Sequence, residues 1–291
     1  IGSRPINFHL NAFKKMGASI KVKNGYIIAS AKKGLKGCLI KFPKISVGAT
    51  ENVLIASCFS KGKTKLRNCA SEPEVMDLIN FLQKLGFKIN QVGKRSIDVL
   101  GVEKLKPTVH KVIFDRIEAG TYIIAAALTN GHIKITNVDP KIMLTEISLL
   151  KKMKVKIMEK KNHVIVKCPK KIKSVNVGTK PYPGFPTDLQ AQVMVLMTKA
   201  SGISTIKENI FENRFMHVSE LRRMGAHIEI LGKKAKIYGG SKLHGAELMA
   251  TDLRASVCLV LAGLVAKEKT VINRIYHLDR GYERIEKKLS N

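Results

Sequence analysis

The chain has 291 residues, 45% of them hydrophobic, and carries 52 Lys and Arg against 22 Asp and Glu, a formal net charge of +30. That length and apolar content predict two domains rather than one. No apolar run approaches the roughly 20 residues of a membrane span, and no basic segment leads into an apolar one at the N-terminus, so a cytoplasmic protein with no membrane partner is expected.

The five cysteines, Cys38, Cys58, Cys69, Cys168 and Cys258, form no CxxC pair and no His/Cys set at zinc spacing, which argues against a structural metal. Cys58 and Cys258 stand in apolar stretches and read as small buried hydrophobes. So high a charge suits a nucleic-acid binder. Here, however, the lysines are spread along the whole chain, and an aromatic content of 5% with no Trp offers bases no stacking ladder. Nucleic acid is not the expected partner.

Taken in chain order, the elements repeat about every 70 residues. An amphipathic stretch passes into an alternating strand at Phe13 to Ile20, Phe81 to Ile89, Leu149 to Ile157 and Leu221 to Ile230. The period changes at Gly17, Gly86 and Gly225, each a candidate helix C-cap. At the third stretch Lys154 stands where the others have Gly, which predicts a different cap there. Between these stretches lie an apolar helix, a polar turn and a short strand, at Ala49 to Leu66, Ile117 to Ile135, Leu189 to Ile206 and Leu253 to Ile272. Since one such unit cannot cover its own helices, the pattern predicts an α/β array with helices packed on sheets. Lys106-Pro107-Thr108 breaks the periodicity and places a domain boundary near residue 112. Residue 1 is Ile rather than Met, and the last amphipathic stretch, Tyr282 to Leu289, stops where the others continue into a strand. These ends read as those of a fragment.

Arginine is scarce, and its placement is informative because its planar fork binds phosphate and carboxylate bidentately. Arg4, Arg116, Arg214, Arg254 and Arg280 fall in turns and helix starts. Asp115-Arg116, Thr187-Asp188 and Thr251-Asp252 precede apolar helices, and Thr187 with Gln190 has capping-box spacing. Each Asp reads as an N-cap or as a functional carboxylate. A cation in a first helical turn, as at Arg116 and Arg254, opposes the helix dipole, and an anionic ligand would offset that cost. Pro181 to Asp188 is a stiff loop that ends in a carboxylate, which suits a general base. Phe211 to His217 and Arg274 to Arg284 gather acids, arginines and histidines before two of the amphipathic stretches, either as charged surface turns or as walls of one cleft.

At Pro181 to Gln192, Phe211 to Leu221, Met249 to Ser256 and Arg274 to Leu289 the chain resembles the UDP-N-acetylglucosamine 1-carboxyvinyltransferases, a family of enolpyruvyl transferases, and the likeness covers essentially its whole length. The resemblance implies a two-domain, inside-out α/β barrel of repeated βαβαββ units. On it, residues 1–112 are the remainder of a first, loop-bearing domain and residues 113–291 a second domain truncated at its C-terminus. It implies transfer of the enolpyruvyl group of phosphoenolpyruvate to the 3-hydroxyl of UDP-N-acetylglucosamine with release of phosphate, a step of peptidoglycan synthesis, and no cofactor.

Asp188 matches the family's carboxylate beside the acceptor hydroxyl. Arg4 and Arg280 match arginines that hold phosphoenolpyruvate, and Arg214 and Arg254 match cleft arginines. The nucleotide-sugar segments correspond to Arg4, Pro5, Ile6, Asn7 and Phe8, to Lys44, Ile45, Ser46 and Val47, and to Ile210, with Arg116 near the diphosphate. Asn7 stands where the family usually has Asp, and an amide still hydrogen-bonds a uracil edge. The family's Lys-Asn pair and its loop bearing Cys or Asp match nothing in the chain, so the resemblance implies that these residues alone lack turnover. The rival readings are a 5-enolpyruvylshikimate-3-phosphate synthase-like transferase and a basic nucleic-acid-binding module.

Overall fold

The computed structural model describes residues 6–101, 104–169 and 171–290, and the chain divides into two compact units between Ile113 and Phe114. The first unit opens with helix α1 (Asn7–Lys15) and the hairpin β1 (Ser19–Lys23) and β2 (Tyr26–Ser30). There follow β3 (Leu39–Lys41), α2 (Val47–Cys58), β4 (Lys63–Arg67), α3 (Pro73–Lys84), β5 (Lys88–Gly93) and β6 (Ser96–Leu100). β3 runs parallel to β4, as a strand-helix-strand crossover allows, and β6 then joins β4 and β5 antiparallel, giving the order β3-β4-β6-β5. The core of this unit gathers Val53, Leu54 and Cys58 of α2, Ile79 and Leu82 of α3, and Leu66 and Val99 of the sheet.

The second unit runs the same pattern more than once. Its elements are α4 (Arg116–Leu128), β7 (His132–Thr136), α5 (Leu144–Lys152), β8 (Lys156–Lys160), β9 (His163–Lys167), β10 (Asn176–Gly178), α6 (Gln190–Thr198), β11 (Ile203–Lys207), α7 (His217–Arg223), β12 (Ile228–Leu231), β13 (Lys234–Tyr238), β14 (Glu247–Met249), α8 (Leu253–Gly263), β15 (Val271–Asn273) and α9 (Ile285–Ser290). The sheet β10-β11-β13-β12 repeats the order and directions of the β3-β4-β6-β5 sheet. β7-β9-β8 lacks only the first strand of that pattern, and β14 with β15 is its parallel opening pair.

α6 is largely apolar with no polar face, and each of its nine residues is buried. α4 and α8 are nearly as covered. Such helices are stable only when surrounded. They pack on one another, while the strands alternate buried and exposed residues, as in β11 and β13, so one face of each sheet covers the helices and the other meets solvent. The amphipathic helices α5 and α7 lie toward the outside, with one face in the core. Among the described residues no helix is long and apolar enough to cross a membrane. All five cysteines are free thiols, and Cys58 and Cys258 are fully buried. Burial pushes the Cys58 thiol up to about 12.

The amphipathic helices end alike. After α1, α3 and α7 the chain turns at Gly17, Gly86 and Gly225, all at positive φ. The two amides that follow each helix bond back to its last turn: Gly17 N to Lys14 O and Ala18 N to Phe13 O after α1, Gly225 N to Arg222 O and Ala226 N to Leu221 O after α7. The expectation of a different cap at Lys154 is corrected. Lys154 itself takes φ 75°, and its amide and that of Val155 bond to Lys151 O and Leu150 O. The packing of Val155 and Ile157 below the cap imposes the same geometry without glycine.

An exposed lysine held in the left-handed region carries backbone strain that glycine relieves. Lys154→Gly is therefore expected to stabilise the second unit by about 0.5 to 1 kcal/mol. Gly17→Ala, at a site where a Cβ meets no atom within 4 Å, should cost a similar amount in the first unit through φ alone. Urea unfolding midpoints of both variants check the pair, and a destabilised Lys154→Gly would contradict the strain.

Candidate active site

Three aspartates precede the three inner helices, and the structure separates their roles. Asp115 Oδ1 accepts from the amides of Ile117 (2.7 Å) and Glu118 (3.0 Å), capping α4. Asp252 Oδ1 accepts from those of Arg254 (2.8 Å) and Ala255 (3.0 Å), capping α8. Asp188 caps nothing. It sits in a single 3-10 turn, Thr187–Leu189, between the proline-rich loop and α6, with its carboxylate left for other partners. The expected capping box of Thr187 and Gln190 does not form, because the Thr187 hydroxyl donates instead to Glu208 Oε2 (3.0 Å).

The free Asp188 carboxylate lies between two guanidiniums. Arg214 Nη2 donates to Oδ1 at 2.5 Å and Arg254 Nη2 to Oδ2 at 2.7 Å. Arg214 reaches it from the segment before α7 and stacks over the Phe211 ring at 4.8 Å. Arg254 reaches it from the first turn of α8. The side chains are 37% exposed for Asp188, 24% for Arg214 and 17% for Arg254, so the cluster stays open to a solute.

Beneath it, the polar side chains of the inner helices form a floor. Thr121 of α4 donates to Ile117 O (2.8 Å), which leaves Tyr282 OH as donor to Thr121 Oγ1 (2.9 Å). Gln192 of α6 donates to Asp188 O (2.9 Å) and approaches both hydroxyls at 3.3 Å. Arg254 Nη1 stands 3.5 Å from Tyr282 OH. These contacts bring the N-terminal ends of α4, α6 and α8 together, with three helix dipoles of the same sign at one end, a setting that favours bound anions.

Other expected site residues are placed as follows. Arg280 lies in the 3-10 stretch Ile275–Arg280, two residues before Tyr282, and its side chain is exposed. Arg116 is buried; its Nη1 pairs with Glu146 Oε1 at 2.7 Å and its guanidinium lies over the Tyr182 ring. Each first-turn arginine faces a protein carboxylate, Glu146 for Arg116 and Asp188 for Arg254. Ile210 is partly exposed on the turn leading to Arg214.

In the first unit Asn7 and Phe8 begin α1, Ser46 caps α2 by accepting from Ala49 N (3.3 Å), and Val47 is the first residue of α2. His9 of α1 hydrogen-bonds Asn52 of α2 at 2.9 Å, so the Ile6 to Phe8 and Lys44 to Val47 segments flank one helix pair. Arg4 and Pro5 lie outside the described residues. Among the described residues no group of three or more His, Cys, Asp or Glu is placed to hold a metal ion.

Sequence reading missed Thr121, Gln192, Glu208 and Tyr282. For Thr121 the only signal was a polar residue in the middle of a largely apolar helix, and Gln192 stood in the first turn of α6 at the end of the Pro181 to Gln192 segment. Tyr282 lay within the Arg274 to Arg284 segment, but its pairing with Thr121, 161 residues away, left no local trace.

Electrostatics favours the ionised carboxylate. Burial acts to raise the Asp188 pKa, but the charges of Arg254 and Arg214 and their hydrogen bonds outweigh it and hold the group below the ordinary carboxylate range. His217, buried behind Arg214, is pushed down to about 4 by loss of solvent and is neutral at pH 7. A carboxyl lowered in the fold contributes stability that is fully present above its unfolded value of about 3.9 and is lost as pH falls through the lower native value. The stability gap between the parent and Asp188→Asn should therefore be largest near neutrality and narrow on acidification below about pH 4. Melting temperatures across that range check this, and a gap that widens in acid would contradict it.

The family described as EPSP synthase (3-phosphoshikimate 1-carboxyvinyltransferase) matches residues 1–289. A UDP-N-acetylglucosamine 1-carboxyvinyltransferase of Pelagibacter ubique is 61% identical over 289 residues, covering 99% of this chain and 69% of that protein. One of Rickettsia felis is 51% identical, covering 100% and 70%. Among solved structures, the enolpyruvyl transferase NikO from Streptomyces tendae superposes with a TM-score of 0.91 at 26% identity over 99% of this chain and 71% of its own. An EPSP synthase from Acinetobacter baumannii, at 18% identity and a TM-score of 0.77 over 99% and 70%, shares the fold. With sheets wrapped around inner helices, and with this identity over nearly its whole length, the chain belongs to the EPSP synthase family of enolpyruvyl transferases, in its UDP-N-acetylglucosamine 1-carboxyvinyltransferase branch.

Proposed function

We propose that this chain carries enolpyruvyl-transfer chemistry, with phosphoenolpyruvate as donor and the 3-hydroxyl of UDP-N-acetylglucosamine as acceptor. The observation that supports this most is a carboxylate held between two arginines on a partly open face, with the positive ends of three helices behind it. In the reaction the acceptor oxygen bonds to C2 of phosphoenolpyruvate, its proton leaves, and C3 gains a proton. The tetrahedral adduct then loses a proton from C3 and phosphate from C2, leaving the enolpyruvyl ether.

Asp188 is the residue for the hydroxyl proton. While both guanidiniums hold it, its low pKa makes it a weak base. A substrate bearing phosphate and carboxylate competes for Arg214 and Arg254. As they turn toward the substrate, Asp188 loses positive charge, gains negative charge nearby, and binds a proton more strongly. The arginines thereby serve twice, holding the carboxylate ionised in the empty site and releasing it as a base when the donor arrives.

Arg280, exposed two residues before Tyr282, is assigned to the donor as a further fork, and Arg4 is assigned to the donor by its sequence match alone. Asn7, Phe8 and the Lys44 to Val47 turn are assigned to the nucleotide sugar. The name of the branch favours that acceptor over a shikimate phosphate.

Calorimetric titration separates the acceptors. UDP-N-acetylglucosamine is expected to bind and shikimate 3-phosphate not; the reverse preference would overturn the assignment. In the protein that carries these residues, Asp188→Asn should lower kcat about 100-fold or more with nucleotide-sugar binding largely kept. Near-normal turnover would leave Asp188 a purely structural ion-pair partner. Arg280→Lys keeps the charge but loses the fork, and should damage turnover far more than Lys171→Ala on the exposed surface. Equal tolerance of the two changes would remove Arg280 from the site.

A further inference from the structure

We propose that Glu208 is a positioning residue that sets the distance between Asp188 and Arg214. It follows β11 directly, is 1% exposed, and its amide donates to Lys233 O at 2.8 Å, so its backbone is fixed to the sheet's edge. Its carboxylate accepts four hydrogen bonds from neutral donors. Oε1 takes the Thr179 hydroxyl (2.8 Å) and the amides of Ile210 (2.8 Å) and Phe211 (3.1 Å). Oε2 takes the Thr187 hydroxyl (3.0 Å).

Those donors belong to three pieces of chain. Thr179 opens the proline-rich loop and Thr187 closes it, one residue before Asp188. Ile210 and Phe211 begin the segment that carries Arg214. A single buried carboxylate thus joins both ends of the loop to the arginine segment. The joint is reinforced by Asn209, whose amide donates to Thr179 Oγ1 (2.9 Å) and whose side chain donates to Thr179 O (3.0 Å).

The Asp188 to Arg214 contact spans the pieces that Glu208 holds, and nothing within either short segment could fix it alone. A carboxylate suits the task because it offers several acceptor sites on two rigidly related oxygens. Leaving these buried donors unpaired would carry the desolvation cost of each. Glu208 touches neither Asp188 nor Arg214. It acts through Thr187 on one side and through the Ile210 and Phe211 amides on the other.

This role presupposes the enolpyruvyl-transfer reading, so its test uses one readout that depends on turnover and one that does not. Thr187→Val removes only the link from Glu208 to the Asp188 turn. It is expected to lower kcat about 10-fold or more with KM within about 2-fold, as a misplaced catalytic group does. It should also shift the Asp188 carboxyl titration, followed by carbon-13 NMR, to higher pH, because the carboxylate sits less firmly against its arginines. Glu208→Gln is the conservative rescue. Its amide oxygen can accept from Thr179, Ile210 and Phe211, and its amide nitrogen can donate to the Thr187 oxygen, so kcat should stay within about 3-fold of the parent. Thr205→Val, on the solvent side of β11, is the control and should leave both readouts unchanged.

A Thr187→Val protein with parental kcat and parental Asp188 titration would overturn the proposal. So would a folded Glu208→Gln protein that loses turnover as Thr187→Val does, since the charge rather than the clip would then matter. If the whole protein that carries these residues shows no enolpyruvyl transfer, the functional reading fails, while the Asp188 titration in Thr187→Val still decides whether Glu208 sets the carboxylate's place.

Discussion

A largely apolar helix with no polar face must be surrounded, and in α6 all nine residues are buried. That constraint organises the second unit. α4 and α8 pack against α6, sheets close over the three, and amphipathic helices cover what remains. Apolar burial supplies the driving force, roughly in proportion to the area removed from water. It cannot by itself align the helices along their axes. The alignment comes from the few polar groups allowed inside: Thr121, Gln192 and Tyr282 can hydrogen-bond one another only when the N-terminal halves of α4 and α6 and the approach to α9 stand side by side.

Function follows from where that alignment puts the helix ends. Three N-termini at one end concentrate positive potential, and the protein offsets it with its own carboxylates. Asp115 and Asp252 do so as caps, Glu146 as the buried partner of Arg116. Asp188 is different because its turn is joined to Glu208 rather than used as a cap, which leaves both oxygens for arginines. A half-buried pair of arginines sharing one partly open carboxylate is an exchangeable arrangement. A more highly charged anion can take the guanidiniums, and the energetic outcome is a change in proton affinity at Asp188.

Local chemistry was legible in the sequence, and long-range chemistry was not. The change of period at Gly17, Gly86 and Gly225 marked helix ends because a C-cap is written within a few residues. Lys154 misled for the same reason, since residue type suggested a different cap while packing of Val155 and Ile157 imposed the same one. Asp115 and Asp252 fit the N-cap reading, but Thr187 with Gln190 showed that capping-box spacing does not guarantee a cap when a buried carboxylate offers the hydroxyl another partner. The arginines stood out by scarcity and position. Their pairing did not, because Asp188 and Arg254 are 66 residues apart and Arg116 and Glu146 are 30 apart. Glu208 looked like an ordinary charged residue after a strand, and only the fold shows it buried among four donors.

In the proposed chemistry Asp188 exchanges its arginine partners for a proton when the anionic donor binds. Following the Asp188 carboxyl by carbon-13 NMR across a pH titration, with and without saturating phosphoenolpyruvate, tests it directly. A midpoint below the ordinary carboxylate range in the free protein is expected, moving upward when the donor is bound. A midpoint that stays in place or moves lower on binding would contradict it, because the guanidiniums would then still be holding the carboxylate while the donor is held elsewhere.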